Sequence, residues 1–249
     1  MPKSPDPFMY DQNSRSGTNP ASRGSAVVLL SGGMDSALTT TIARKENAPV
    51  AALHLNYRHR TEGRELRAFR EVCDALEIVE RLVVDIEFLR TIGGSSLTDE
   101  SIGVTNANLA ATEIPSSYVP FRNGNFLAIA TSWAETLGAN AIYMGAVEED
   151  SSGYPDCRRS FFDAFERAIE LGTKPETRIR IVTPIIHLRK SEIVKESLRL
   201  GAPIERTWSC YQSEDVACGT CDSCALRLRG FAEAGVEDPI AYKVRPDYA

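Results

Sequence analysis

Short apolar runs that alternate with helical stretches constrain the fold of this chain more than any other feature. The run Ala26–Leu30 (AVVLL) is continuous and apolar, as expected of a parallel strand that is buried on both faces. Two glycines and a helical stretch from Asp35 to about Glu46 follow it, and Val50–Leu55 repeats the strand signal. With a second helix and a β-branched run at Ile78–Ile86, this βαβ rhythm predicts an α/β fold with a doubly wound, mainly parallel sheet.

The second half of the chain continues the alternation after a long irregular segment. Residues 90–120 are rich in Gly, Ser, Thr and Asn, which is typical of a lid or binding loop. Asn123 or Asn125 is expected to cap the next helix, which should close at Gly138. The other expected elements are a strand at Ala141–Met144, a helix that ends before Gly172, a strand at Ile179–Val182 and a helix at Ser191–Leu200.

Composition predicts how the chain divides into segments. With 43% hydrophobic and 25% charged side chains, the 249 residues have an ordinary globular composition with room for one large domain. Residues 1–25 are rich in Pro and Ser and lack apolar periodicity, so we expect a flexible N-terminal arm. We predict a nucleotide-binding and catalytic α/β domain over 26–205, a small zinc-binding region over 206–235 and a C-terminal tail over 236–249.

Charge and hydropathy argue against two kinds of partner. Because 28 basic side chains face 34 acidic ones, the net charge of −6 gives no broad cationic field for nucleic-acid binding. No run approaches the ~18 consecutive apolar residues of a membrane span, and Asp6 and Asp11 stand where a signal peptide needs a basic start. We therefore expect a cytoplasmic protein with no direct nucleic-acid partner and no membrane contact.

A glycine-containing segment, Ser31–Ser36 (SGGMDS), follows the first strand directly. Two glycines let the backbone approach an oxyanion closely, and the next helix offers the N–H groups of its first turn. The segment is neither the G-x-G-x-x-G fingerprint nor a Walker A loop. It predicts a phosphate cradle, and the alternative is a glycine turn that Asp35 caps.

Four cysteines crowd into fifteen positions near the C-terminus. Cys210, Cys218, Cys221 and Cys224 have the pattern C-x₇-C-x₂-C-x₂-C, which predicts a four-coordinate, structural Zn²⁺ site. Iron–sulfur ligation is the alternative, but Leu228 stands where the bacterial ferredoxin run would place its last cysteine.

The pattern S-G-G-x-D-S resembles the PP-loop of N-type ATP pyrophosphatases, which split ATP into AMP and pyrophosphate while adenylating a substrate oxygen. Three further segments narrow the resemblance: 119–123 (VPFRN), 152–158 (SGYPDCR) and 207–211 (TWSCY). Together they resemble the 7-cyano-7-deazaguanine synthase family of the queuosine pathway, from Ala26 to about Phe231. Phe121 departs from the pattern, since many members have a small residue there.

This resemblance implies an adenine nucleotide alpha hydrolase-like fold and a specific reaction. The family converts 7-carboxy-7-deazaguanine, ammonia and ATP into 7-cyano-7-deazaguanine (preQ0), through adenylated intermediates and an amide. The implied cofactors are ATP, Mg²⁺ held by Asp35 and structural Zn²⁺. The family often forms dimers, so a homodimer is expected.

The resemblance also suggests which residues form the site. We expect nucleotide binding by Leu30, Ser31, Gly32, Gly33, Met34, Asp35 and Ser36, and catalytic roles for Asp35, Ser36, Arg122 and Lys190. The guanine-like base and its acid group need a stacking face, hydrogen-bond acceptors and a cation. We assign these contacts to Arg122, Asn123, Asp150, Tyr154, Asp156 and Arg158. Structural ion pairs, a turn at Asp156 and solvated charges at Lys190 are the alternatives.

Two rival functions fit the same motifs. One is a PP-loop enzyme that adenylates a tRNA base and installs sulfur, and the other is an idle ligand sensor or a relative that stops at the amide. The three histidines, His54, His59 and His187, show neither metal-ligand spacing nor a nucleophile motif.

Overall fold

The computed structural model describes residues 24–109, 113–148 and 153–248. The strands are β1 (Ala26–Leu29), β2 (Val50–Asn56), β3 (Arg81–Asp85), β4 (Ala141–Met144) and β5 (Arg180–Val182). The α-helices are α1 (Met34–Glu46), α2 (Glu62–Ala75), α3 (Phe88–Ile92), α4 (Arg122–Leu137), α5 (Arg159–Gly172), α6 (Lys190–Leu200) and α7 (Asp222–Ala234). None of the helices in these ranges has the length and apolar character needed to cross a bilayer.

All five strands are parallel and lie in the order β3-β2-β1-β4-β5. Successive residues of β1 face opposite sides of this sheet. Val27 belongs to a buried core that includes Leu127 of α4, whereas Val28 belongs to a second core that includes Phe69 of α2. The apolar run of β1 thus reflects helices on both faces, and the predicted doubly wound α/β fold is confirmed.

The strand order reverses between β1 and β4, and this reversal fixes the position of the site. From β1 the chain proceeds outward to β2 and β3 on one side, whereas β4 and β5 lie on the other. The connections after β1 and β4 diverge at such a point, which leaves a crevice at the carboxyl ends of the strands. The segment 31–36 lies at this crevice.

The predicted start of α4 is wrong in one respect. Neither Asn123 nor Asn125 caps the helix, since both lie inside its first turn and Phe121 precedes it with a left-handed φ of 54°. The Asn123 side-chain amide donates instead to the carbonyl oxygen of Asp156 at 3.0 Å. The sequence analysis also missed the short helix α3 and the helix α7, and α5 extends to Gly172.

The C-terminal segment folds back onto α7 through a buried ion pair. Arg227 and Asp238 are 2% exposed each, and the guanidinium donates to both carboxylate oxygens, at 2.6 and 2.9 Å. Arg227 also donates to Thr207 Oγ1, and the Tyr242 hydroxyl donates to Asp238. The segment 236–248 is therefore packed against the cysteine-containing region 206–235.

Replacing Asp238 by Asn should destabilise the protein strongly, because a buried guanidinium loses its counter-charge. We expect the free energy of unfolding in urea to fall by about 3–5 kcal/mol. Glu170→Gln, which breaks the exposed pair with Arg167 on α5, is the control and should cost less than about 1 kcal/mol. Equal effects of the two substitutions would contradict this account of the C-terminal segment.

Candidate active site

A cleft of about 260 Å³ opens at the carboxyl ends of β1, β2 and β4. Many of the predicted site residues line it, namely Leu30, Ser31, Gly33, Met34, Asp35, Ser36, Arg122, Asn123, Tyr154 and Lys190. Gly32, Asp156 and Arg158 lie outside this lining, and Asp150 lies outside the described residues.

The segment 31–36, hereafter the PP-loop, makes a tight turn into α1. Gly32 has a left-handed φ of 95°, and a Cβ there would come within 2.6 Å of the Glu65 carbonyl oxygen, so the turn requires glycine. Ser36 Oγ donates to the Gly33 carbonyl oxygen at 2.9 Å and so tightens the turn. No side chain caps α1, which rules out the Asp35-capped turn and lets the first-turn N–H groups face an anion.

An ion pair stands beside the PP-loop. Lys190 Nζ lies 2.5 Å from Asp35 Oδ2, and both side chains are largely shielded from solvent. The second carboxylate oxygen, Asp35 Oδ1, is buried and has no hydrogen-bond partner among the described residues. An unpartnered carboxylate oxygen beside a phosphate site suits Mg²⁺, which takes one or two carboxylates together with phosphate oxygens.

Two glycines set the position of this pair. A Cβ on Gly145, just after β4, would come within 2.9 Å of the Asp35 carbonyl group. A Cβ on Gly230 of α7 would come within 2.7 Å of the Lys190 side chain. Only glycine lets β4 and α7 approach so closely, and the sequence analysis assigned a role to neither residue.

Arg122 is a second cation that lines the cleft. Its guanidinium lies over the rings of Tyr57 and Phe126, at 5.9 and 5.7 Å, and Nη1 donates to the Tyr57 hydroxyl at 3.4 Å. Arg122 Nε is buried without a partner, and no carboxylate of the described ranges forms an ion pair with this side chain. The cation is thus held by aromatic rings, and its charge is available to an anionic ligand.

The other predicted substrate residues differ in their placement. Tyr154 lines the cleft, and its hydroxyl lies 2.9 Å from Ser117 Oγ. Asp156 is buried and accepts from the backbone N–H of Asn123 at 2.9 Å, so it contacts the first turn of α4. Arg158 is exposed and directly precedes α5.

Several cleft residues were missed by the sequence analysis, above all His54 on β2 and Glu65 on α2. Burial lowers the pKa of His54, although the backbone of Leu30 and the charge of Glu65 oppose this shift. Burial also raises the pKa of Tyr57 to about 12, so this phenol stays neutral. The polar residues in the run LHLNY could have indicated His54, because they lie near the carboxyl end of a buried strand, where open α/β sheets bind ligands.

The four C-terminal cysteines converge, as their spacing predicted. Their Sγ atoms all lie within 4.8 Å of one another, all four residues are buried, and none forms a disulfide. Sγ of Cys218 and Sγ of Cys224 are 3.8 Å apart, which matches the separation of about 3.8 Å that tetrahedral Zn–S bonds of 2.3 Å give. Backbone N–H groups of Gln212 and Cys218 donate to Cys210 Sγ, as suits a thiolate. The donor set fits one tetrahedral metal ion.

The cysteine region contacts the PP-loop directly. The backbone N–H of Trp208 donates to the Gly32 carbonyl oxygen at 2.9 Å. Trp208, Tyr211 and Asp222 also line the cleft. The metal-binding region therefore forms one wall of the site.

Comparison with known proteins agrees with this geometry. The family model described as "Queuosine biosynthesis protein QueC" matches residues 25–235. The 7-cyano-7-deazaguanine synthase of Chlorobaculum tepidum is 60% identical over 223 residues, which cover 90% of this chain and 98% of that relative. The protein of the same name from Chloroherpeton thalassium is also 60% identical, over 90% of this chain and 99% of the relative.

A solved structure of a 4-thiouridine synthetase in complex with RNA and bound ATP is also similar to this chain. The superposed residues cover 74% of this chain and 42% of the synthetase chain, with 21% identity and a TM-score of 0.47. The assignment rests on the family model and the curated relatives, which match most of the chain. This chain belongs to the QueC family of queuosine biosynthesis proteins.

Proposed function

We propose that the protein converts 7-carboxy-7-deazaguanine, ammonia and ATP into 7-cyano-7-deazaguanine. The observation that carries the proposal is the presence, in one cleft, of an uncapped helix N-terminus and of an arginine that pairs with no carboxylate of the described residues. The first suits the phosphates of a nucleotide and the second suits a carboxylate. The name and high identity of the curated relatives support the same reaction.

The PP-loop provides for the departure of pyrophosphate. A carboxylate oxygen of the substrate attacks the α-phosphorus of ATP, and the bond to the β-phosphate oxygen breaks. The first-turn N–H groups of α1 and the Lys190 ammonium stabilise the charge that develops on the leaving pyrophosphate. Asp35 would hold Mg²⁺ through its unpartnered carboxylate oxygen, and the ion would supply further charge neutralisation.

Arg122 and the rings around it hold the second substrate. Its guanidinium orients the carboxylate, while Tyr57, Phe126 and Tyr154 give the planar base an aromatic surface. Ammonia attacks the acyl carbon and AMP leaves, which yields the amide. Attack of the amide oxygen on a second ATP releases pyrophosphate and one N–H proton, and loss of AMP with the second N–H proton forms the nitrile.

The identity of the metal, the domain division, the cellular location and the oligomeric state are further proposals that accompany this function. The cysteine region holds Zn²⁺ in a structural role, because its four thiolates leave no open coordination position. We keep the division into 26–205, 206–235 and 236–249, a cytoplasmic location, a homodimer and the absence of a direct nucleic-acid partner as predictions. The substrate roles of Asp150, Asp156 and Arg158 also stay predictions.

Incubation with 7-carboxy-7-deazaguanine, ATP, Mg²⁺ and ammonium tests the function directly. We expect the nitrile together with AMP and pyrophosphate, detected by mass spectrometry. Amide as the sole product would limit the activity to the first half of the reaction. Formation of ADP would contradict the pyrophosphatase mechanism.

Asp35→Asn should abolish turnover without unfolding the protein. The substitution keeps the side-chain shape but removes the charge that pairs with Lys190 and suits Mg²⁺. We expect AMP formation to fall by at least about 10²-fold, while circular dichroism shows that the protein stays folded. Asp163→Asn on the exposed face of α5 is the matched control and should retain activity. Wild-type rates in Asp35→Asn would remove this carboxylate from the mechanism.

Cys221→Ser should release the metal and lower stability, because metal binding to such a cluster contributes folding free energy. Metal content by elemental analysis and the midpoint of urea unfolding are the measurements. Cys73→Ala, which changes a buried cysteine far from the cluster in sequence, is the control and should retain the metal. A Cys221→Ser protein with full metal content would refute the four-thiolate site.

A further inference from the structure

We infer that His54, Asn56 and Glu65 form a subsite for ammonium, in which the ion is deprotonated before its nitrogen attacks the activated substrate. This inference rests on the proposed function, because it places the ammonia that serves as the nitrogen donor of that reaction. It uses three side chains to which neither the family motifs nor the PP-loop assign a role. His54 and Glu65 line the same cleft as Asp35 and Arg122, and Asn56 adjoins it on β2 without lining it.

The tautomer of His54 is fixed by its surroundings. Its Nδ1 lies 3.0 Å from the Leu30 carbonyl oxygen, which can only accept a hydrogen bond, so Nδ1 carries the proton. Nε2 is therefore a bare acceptor. It is buried, it has no hydrogen-bond partner among the described residues, and the whole side chain is only 2% exposed. A buried acceptor of this kind requires an N–H or O–H donor from a ligand.

A second unpartnered acceptor lies on the same strand. Asn56 is two residues beyond His54 on β2, so both side chains are on the same face of the sheet. Asn56 Nδ2 donates to Asp85 Oδ1 at 3.0 Å, which fixes the orientation of the amide, because a carboxylate oxygen only accepts. The amide oxygen Oδ1 is thus an acceptor, and it too is buried with no hydrogen-bond partner in the part of the chain that the structure describes.

Glu65 supplies the negative charge. Its side chain is 14% exposed, Oε2 lies 3.1 Å from His59 Nε2, and Oε1 accepts from Thr61 Oγ1 at 3.2 Å. Burial opposes ionisation, but the neighbouring His59 above all, with the hydroxyl of Thr61, leaves the pKa of Glu65 lowered, so the carboxylate is charged at neutral pH. Glu65 lies one turn before Phe69, whose ring packs 5.0 Å from His54.

These groups favour a small cation with several N–H donors. A bare imidazole nitrogen, an amide oxygen and a carboxylate are all acceptors, and the carboxylate adds a full negative charge. Ammonium offers four donors and a positive charge, whereas the amino group of adenine is neutral. Among the described residues, the four cysteines are the group of His, Cys, Asp and Glu side chains that converges closely enough for a metal ion.

The proton transfers at this subsite account for both protons that the ammonium nitrogen loses when the amide forms. Ammonium gives one proton to the Glu65 carboxylate, and the lone pair that this frees attacks the acyl carbon of the adenylate. The new C–N bond leaves a positively charged nitrogen, which gives its next proton to His54 Nε2. The bond from carbon to the AMP oxygen then breaks, and both protons pass to solvent.

The test separates the adenylation step from the ammonia step. Exchange of labelled pyrophosphate into ATP, which depends on 7-carboxy-7-deazaguanine and needs no ammonia, reports on adenylation alone. In Glu65→Gln and in His54→Asn, whose amide N–H can still reach the Leu30 carbonyl, we expect exchange within about twofold of wild type. We expect the KM for total ammonium to rise by about 10²-fold, because the ion loses an acceptor and free ammonia is scarce at neutral pH. Asp74→Asn on the exposed side of α2 is the matched control and should change neither value.

A substitute nucleophile provides a second readout. Hydroxylamine is unprotonated at neutral pH, so hydroxamate formation should proceed at the wild-type rate in Glu65→Gln. From pH 7 to 8.5 the wild-type KM for total ammonium should be constant, because the ion itself binds. In Glu65→Gln it should fall about tenfold per pH unit, as the free base becomes more abundant.

Three results would overturn the inference: an unchanged KM for ammonium, a raised KM for ATP in its place, or loss of pyrophosphate exchange in Glu65→Gln. If His54→Asn fails to fold, Glu65→Gln alone decides the question. Absence of carboxylate-dependent exchange in the wild-type protein would instead refute the proposed function, so the two failures are distinguishable.

Discussion

The structure depends on the close approach of backbone segments around the N-terminus of α1. Gly32 brings the PP-loop against the carbonyl of Glu65, and Gly145 brings the end of β4 against Asp35. A side chain at either position would push α1 away from the sheet, and its first-turn N–H groups would lose their direction. The anion site, the placement of Asp35 and the shape of the cleft all follow from this packing.

The region that contains the four cysteines also contacts the PP-loop and Lys190. Trp208 donates to the carbonyl of Gly32, and α7 packs against Lys190 through Gly230. The buried pair of Arg227 and Asp238 anchors the C-terminal segment to this region. The cysteine region thus supports the PP-loop through direct contacts, which gives the cysteine cluster a physical connection to the cleft.

What the sequence could predict depended on how local the signal was. The strand before the PP-loop and the cysteine spacing are local patterns, so the sheet and the four-thiolate cluster were predicted correctly. The start of α4 was predicted incorrectly, because Asn123 forms hydrogen bonds with Asp156, which is more than thirty residues away in the sequence. His54 and Glu65 meet only through the packing of α2 on β2, which no spacing rule shows.

The most direct test of the account follows the oxygens of the substrate carboxylate. The central claim is that these oxygens attack the α-phosphorus of ATP at the PP-loop. With 7-carboxy-7-deazaguanine labelled with ¹⁸O at both carboxyl oxygens, mass spectrometry should find two AMP molecules for each nitrile, each with one ¹⁸O. Unlabelled AMP, with the label in inorganic phosphate or water, would contradict the account.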